Sequence, residues 1–188
     1  MKLLRQEPTV LRGGDHKNID KIKITAYEPA FGIIGDPAKR TPSTRQSADH
    51  SMVYIVSTLL RKALEKHEQL DPSDNIEEYW KHLMLTPHDY GADALYDETT
   101  RELMSKIEFE HGGEEFDRRY PEGIPTQVAV KLADGRELDS GLVMFPGGHA
   151  RNEDVDLNDI LNYKFKMLGK LGMDKQELIH FVVNLENI

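Results

Sequence analysis

Ile19-Asp20-Lys21-Ile22-Lys23-Ile24-Thr25-Ala26 is the stretch that decides the fold. Ile22, Ile24 and Ala26 alternate with Lys21, Lys23 and Thr25. Successive side chains of a strand point to opposite faces, so this pattern predicts a strand with one dry face and one wet face. Such a strand needs partners at its edges and a second layer against its apolar side. Partners are visible downstream. Val128, Val130 and Leu132 alternate with Gln127, Ala129 and Lys131, and Asp134-Gly135 is a strong hairpin-turn signal. A return strand is expected through Leu138, Leu142 and Phe145, and one further strand over Ile107–Glu110.

The covering layer is helical. Met52, Ile55, Val56, Leu59, Leu60 and Ala63 recur at three- and four-residue spacing, with Ser47 or Asp49 as candidate cap. Asp97 is placed to cap a helix through Leu103 and Met104. Leu157, Ile160, Leu161, Phe165 and Leu168 make a later stripe. Leu178, Ile179, Val182 and Leu185 make another after Gly172, with Asp174 as its cap. The stripes read as core. Residues 1–18 read as a poorly specified leader, 67–96 as irregular structure with short helical turns, and Glu114–Pro125 as a loop. Pro29, Gly32, Gly35, Pro37 and Pro42 exclude a long regular element from 28–46, and a polar connection of that length is often functional. The expected architecture is α+β: a small, mainly antiparallel sheet packed against helices, over residues 19–188.

Composition narrows the function classes. The 188 residues suit one ordinary domain, or at most two small ones. With 24 basic and 33 acidic side chains the net charge is −9, which argues against non-specific nucleic-acid binding. There is no cysteine, hence no disulfide, thiolate metal site or cysteine nucleophile in this chain. The histidines form no dense metal-ligand array, so neither a metal nor a cofactor is expected. No apolar run reaches the roughly 18–20 residues needed to span a bilayer. The first residues lack the long apolar region of a signal peptide, so a cytoplasmic location is expected, away from any membrane.

Three segments are candidates for chemistry. Lys39-Arg40-Thr41-Pro42-Ser43-Thr44-Arg45-Gln46-Ser47-Ala48-Asp49-His50-Ser51 places three cations and a histidine at the start of the strongest helix. A helix N-terminus favours anions, Arg45 can grip a carboxylate through two parallel bonds, and His50 can move a proton near neutral pH. The same residues also suit a solvated charged loop. His111-Gly112-Gly113 ends a strand, where glycines let a ligand approach the backbone; a simple turn accounts for them equally. Gly147-Gly148-His149-Ala150-Arg151-Asn152 reads either as the mouth of a cleft or as a strand-to-helix link.

At Ser47-Ala48-Asp49-His50-Ser51-Met52-Val53-Tyr54-Ile55-Val56 the chain resembles the helix start of the MmgE/PrpD family, which includes 2-methylcitrate dehydratase and cis-aconitate decarboxylase. Ile33-Ile34-Gly35-Asp36-Pro37-Ala38-Lys39, Leu103–Glu108, Asp134-Gly135-Arg136, Gly148–Asn152 and Lys164-Phe165 resemble family segments in the family's order, across about residues 19–188. The resemblance implies the small α+β lid domain with its closing helices, without the large helical domain that holds several catalytic residues. It implies a lyase component acting on di- or tricarboxylic acids, with 2-methylcitrate-dehydratase-like water elimination first and decarboxylation or epimerisation as alternatives. Either a separate helical-domain subunit supplies the rest or the chain is a truncated or split product, and an oligomer and an isolated chain without efficient activity are expected. His50 matches the lid histidine and takes a proton-transfer or orienting role. Lys39 and Arg45 would neutralise substrate carboxylates. His111 sits where some relatives place an aromatic hydroxyl near the substrate, and His149 is matched by motif, so both join the substrate-binding set. A non-catalytic carboxylate-binding or assembly module is the reading from a different class.

Overall fold

A computed structural model describes residues 1–174, together with Gln176, Glu177 and His180. In chain order the elements are α1 (Lys2–Gln6), β1 (Ile19–Ala26), α2 (Arg45–Asp49), α3 (Met52–Glu65), α4 (Ile76–Leu83), α5 (Ala92–Leu95), α6 (Glu98–Ser105), β2 (Ile107–His111), α7 (Gly113–Asp117), β3 (Thr126–Leu132), β4 (Glu137–Asp139) and α8 (Leu157–Gly169). The chain divides into two compact units, Met1–Met144 and Phe145–Ile188.

The first unit is a helix-covered sheet of strand order β2-β1-β3-β4. β1 lies inside it, antiparallel to β3 and parallel to β2, and β3 pairs antiparallel with β4. The fold is therefore α+β as the sequence predicts, with a mixed sheet in which two of the three pairings are antiparallel. The alternation in β1 holds. Ile22, Ile24 and Ala26 are buried while Lys21 and Lys23 are exposed and pair across to Glu108 and Glu110 of β2. Ile19 breaks the alternation yet is also fully buried. The register explains it: Ile19 opposes Leu132 while Lys21 opposes Lys131, so Asp20 is an extra residue that returns both Ile19 and Ile22 to the dry face.

The hairpin turns at Asp134-Gly135, where Gly135 has φ +89°, a conformation that costs glycine little. The return strand is shorter than expected. β4 stops at Asp139, because the Ser140 hydroxyl rather than a backbone carbonyl takes the Val128 N–H at 3.0 Å, and Gly141 turns at φ +62°. Pairing resumes only at the single bridge Thr126–Val143.

α3, α4 and α6 supply the layer on the dry face. Val53, Tyr54, Leu60, Leu64, Leu83 and Leu103 share one apolar cluster with Ile22, Ile24, Ile107 and Val130. The face of α3 that is most deeply buried includes Ser57 and Thr58, while Met52, Val56 and Leu59 pack at its flank. A stripe counted from large apolar residues therefore lies slightly off the true contact line. α3 begins at Ser51, whose hydroxyl accepts the Tyr54 N–H; Ser47 instead completes the capping box of α2 with Thr44. Asp97 caps α6 through Thr100 N–H as expected. Residues 67–96 contain short helical pieces, with Trp80 of α4 buried. The expected loop over Glu114–Pro125 begins as the single-turn helix α7.

The first eighteen residues, expected as a loose leader, carry buried Leu3, Leu4, Val10 and Leu11, all within the main apolar cluster. Arg5 donates to the carbonyls of Pro72 and Asp74, and Lys106 Nζ donates to the carbonyls of His16 and Ile19.

In the second unit, Asp156 caps α8 through the Asn158 N–H. The sequence expects its stripe to be core, but none of its residues is buried, and Leu161 and Leu168 are about half exposed at 54% and 45%. Asp174 accepts the N–H groups of Gln176 and Glu177, the cap geometry expected there. The second stripe, Leu178, Ile179, Val182 and Leu185, lies outside the described residues.

Two measurements test this packing. Leu4→Ala is expected to cost about 2–5 kcal/mol in urea unfolding, the range for emptying a buried leucine site; a loss below about 0.5 kcal/mol, ordinary for surface sites, would mean that the leader is not packed. Asp89 accepts from Lys62 Nζ at 3.0 Å and from the Thr86 N–H at 2.7 Å. Burial pushes its carboxyl up, but the Thr86 amide and the Lys62 ammonium outweigh that and hold it below the ordinary value of 3.8. A depressed carboxyl contributes stability that is present above its unfolded value and lost as pH falls through the folded one. Asp89→Asn is therefore expected to lower the melting temperature at neutral pH and to flatten its decline below about pH 4.

Candidate functional site

The connection that leaves β1 carries the first candidate segment. After Tyr27 the chain makes a wide helical turn over Ala30–Ile34 and then a short turn over Pro37–Lys39 capped by Asp36. Arg40 is committed there. Its Nε and Nη2 both donate to the Gly35 carbonyl, at 3.2 and 3.1 Å, and its guanidinium lies over the Phe109 ring at 5.4 Å. Of the three cations read from the sequence, Arg40 thus holds the loop together. Lys39 is half-buried and Arg45 is exposed on the first turn of α2.

Ser51 ties this segment to the helix layer. It is fully buried, donates its hydroxyl to the Lys39 carbonyl at 2.6 Å, and accepts the Tyr54 N–H at 3.2 Å. One hydroxyl therefore fixes Lys39 against the start of α3. At each helix start one amide is already taken: Ser51 accepts the Tyr54 N–H, and Thr44 accepts the Ser47 N–H.

His50 ends α2 and is exposed. Its Nδ1 lies 3.0 Å from the Gln46 carbonyl oxygen. A carbonyl can only accept, so the neutral ring carries its proton on Nδ1 and offers its lone pair at Nε2. This is the arrangement a proton acceptor needs.

His111 ends β2, directly opposite Ala26 in the parallel register. Its Nε2 lies 2.9 and 3.1 Å from the two carboxylate oxygens of Asp117, and its ring stacks on Phe31 at 5.8 Å. Asp117 also accepts the Glu28 N–H at 2.8 Å. That amide, and then His111, hold the Asp117 carboxyl below its usual range. The expected role of Gly112 changes. A Cβ there would collide with the Phe116 ring, so this glycine makes room for side-chain packing within the protein. Asp117 itself carries no signal in the sequence beyond lying six residues after His111. It takes the one-turn helix α7 to bring it back.

His149 belongs to the second unit. Its Nδ1 accepts the Arg151 N–H at 3.1 Å and its ring lies 5.0 Å from Phe145. The neutral ring therefore carries its proton on Nε2, a donor suited to a carboxylate. Asn152 supports this turn, donating to the Phe145 carbonyl and accepting the Val155 N–H.

Lys39, Arg45 and His50 thus share one segment, and His111 stands at the end of the strand beside the one that launches it. Among the described residues no group of three histidine or acidic side chains is placed to hold a metal ion, and no helix is long and apolar enough to cross a membrane.

Ser51→Ala is expected to cost about 1–2 kcal/mol in thermal unfolding, typical of a lost N-cap. Amide exchange should accelerate across residues 36–50. Unchanged exchange there would mean that the Lys39 tether carries no weight.

The family model of the MmgE/PrpD C-terminal domain matches residues 4–187. No curated protein matches the chain.

Proposed function

Because the chain belongs to the MmgE/PrpD family through its C-terminal domain, we propose that it is the lid component of a lyase acting on di- or tricarboxylic acids. Water elimination of the 2-methylcitrate-dehydratase kind is the reaction we favour. The match across residues 4–187 is the observation that carries this reading. The arrangement of the Lys39–Ser51 segment supports it.

The chemistry follows from the groups present. Elimination beside a carboxylate removes a proton from carbon. The bond pair spreads into the carboxylate and then forms the double bond as hydroxide leaves the neighbouring carbon, protonated on departure. His50 Nε2 is the acceptor for the carbon-bound proton, its ring held by the Gln46 carbonyl. Charge on the carboxylate rises as the proton leaves, so cations aimed there bind the transition state more tightly than the ground state. Lys39, whose backbone carbonyl is held by Ser51, and Arg45 take that role. His149, in the second unit, keeps Nε2–H as a donor suited to a carboxylate. The remaining catalytic groups belong to a helical-domain subunit in this proposal, and the working enzyme is an oligomer of both in the cytoplasm.

The test is dehydration of 2-methylcitrate by the chain with and without a co-expressed helical-domain partner, alongside a panel for decarboxylation and epimerisation. Turnover only in the assembly is expected. Full turnover by the isolated chain would overturn the two-subunit form of the proposal. Binding of polycarboxylates without turnover in any assembly would leave a non-catalytic binding module instead. In the assembled enzyme His50→Ala is expected to lower kcat about 10²–10⁴-fold, the usual worth of a positioned proton-transfer group. Arg45→Ala should act mainly on KM; wild-type turnover in His50→Ala would remove His50 from the mechanism.

A further inference from the structure

Arg101 of α6 grips two stretches of chain that meet beside the Lys39–Ser51 segment. Its Nε donates to the carbonyl of Leu95, the last residue of α5, at 2.7 Å. Its Nη2 donates to the Pro42 carbonyl, also at 2.7 Å. Pro42 is buried, and among the described residues no backbone N–H donates to its carbonyl, so that pairing falls to the guanidinium. Tyr96 covers the guanidinium, its ring centre 5.2 Å away, and the Tyr96 hydroxyl reaches the Ser43 carbonyl at 3.5 Å. A planar fork with two donors engaged and one face stacked has little freedom to swing.

The segment that Arg101 grips carries the proposed chemistry. The Ser51 hydroxyl donates to the Lys39 carbonyl, so residues 40–50 form a loop closed at its neck. Ala48 is fully buried in the main apolar cluster and plugs one side of that loop. The bond from Arg101 to Pro42 holds the other side, three residues before Arg45 and eight before His50. Arg40 braces only the stretch before Pro42, at Gly35. Neck, plug and clamp are separate points of attachment, and three such points set an orientation.

We propose that Arg101 is a positioning residue, which aims Arg45 and His50 by holding the Pro42 carbonyl from the helix layer. Its consequence for turnover rests on the lyase reading; the placement of the segment does not. Lysine would keep the charge and lose the planar fork, so it cannot hold Leu95 and Pro42 in the same way. Misplacing a reacting group by about 1 Å can cost on the order of 10²-fold in rate. The junction of α5 and α6 is thereby coupled to the site through one side chain.

The test uses the full chain and follows amide exchange in Arg101→Lys, with Leu4→Ala as a core change away from the segment. In Arg101→Lys the amides of residues 43–49 are expected to exchange at least about tenfold faster while those of β1 and β3 keep their rates. The His50 ring signals in a carbon–proton NMR spectrum are expected to move. Leu4→Ala should speed exchange across the core and leave the His50 signals in place. In the assembled enzyme, kcat per folded molecule should fall about 10–10²-fold in Arg101→Lys and stay at the wild-type value in Leu4→Ala. Unchanged exchange over 43–49, or an acceleration that Leu4→Ala matches with the His50 signals in place, overturns the proposal. A loosened segment with wild-type kcat overturns the aiming role. If Arg101→Lys fails to fold, Tyr96→Leu decides: Tyr96 is 62% exposed, and its loss uncovers the guanidinium, so the same amides should quicken by a smaller factor. No change there overturns the clamp. If no assembly turns over any polycarboxylate, the lyase reading falls, and exchange with the His50 signals still decides on Arg101.

Discussion

The parallel pairing of β1 with β2 is the constraint on which the larger unit depends. Two parallel neighbours cannot be joined by a tight turn, so the chain must leave the sheet, cross its face and return. Residues 27–106 make that crossing, and they contain α2 to α6. The helices are therefore delivered to the dry face by the topology, where Val53, Tyr54, Leu60 and Leu103 bury against Ile22, Ile24 and Ile107. Parallel pairing also sets the carboxyl ends of the two strands side by side, with Ala26 opposite His111. Ligands of open sheets commonly sit beyond such carboxyl ends, because that is where loops from neighbouring strands diverge. The segment bearing Lys39 and His50 starts from one of these ends, and the His111–Asp117 pair stands at the other.

How much of this was legible follows from which forces leave a periodic trace. Burial of one strand face does, so β1, β3 and the Asp134-Gly135 turn could be read directly. The direction of a given neighbour does not, so a mainly antiparallel sheet could be expected while the parallel β1–β2 pairing within it could not be read. The buried face of α3 contains Ser57 and Thr58, small hydroxyl residues that a count of large apolar residues passes over. Leu3, Leu4, Val10 and Leu11 are too few, and too interrupted by Pro8, Gly13 and Gly14, to display a period, although all four are buried. At the site, the histidines were legible as motif residues. Their proton positions were not, because Gln46, Asp117 and Arg151 set them through contacts that exist only after folding.

Charge shows the same division. The net −9 says nothing about where cations are available. Folding commits Arg40 to the Gly35 carbonyl, Lys62 to Asp89 and the Met84 carbonyl, Arg101 to the carbonyls of Leu95 and Pro42, and Lys106 to those of His16 and Ile19. Several of these basic side chains act as multidentate clamps on backbone carbonyls that bend away from regular ladders. Arg45 follows Arg40 in the same segment and is exposed, so one loop holds both a committed cation and an exposed one.

The extra residue in β1 bears on how this domain can change in evolution. Asp20 is exposed and belongs to no regular pair, so exchange of its side chain meets little resistance. Its presence as a length of backbone is another matter. Deleting it would regularise the ladder while turning Ile19 toward water, since a shift of one residue reverses the facing of a strand. Reading-frame-preserving insertions and deletions at this position should therefore be far rarer than substitutions. The strand is constrained here in its count of residues more than in their identity.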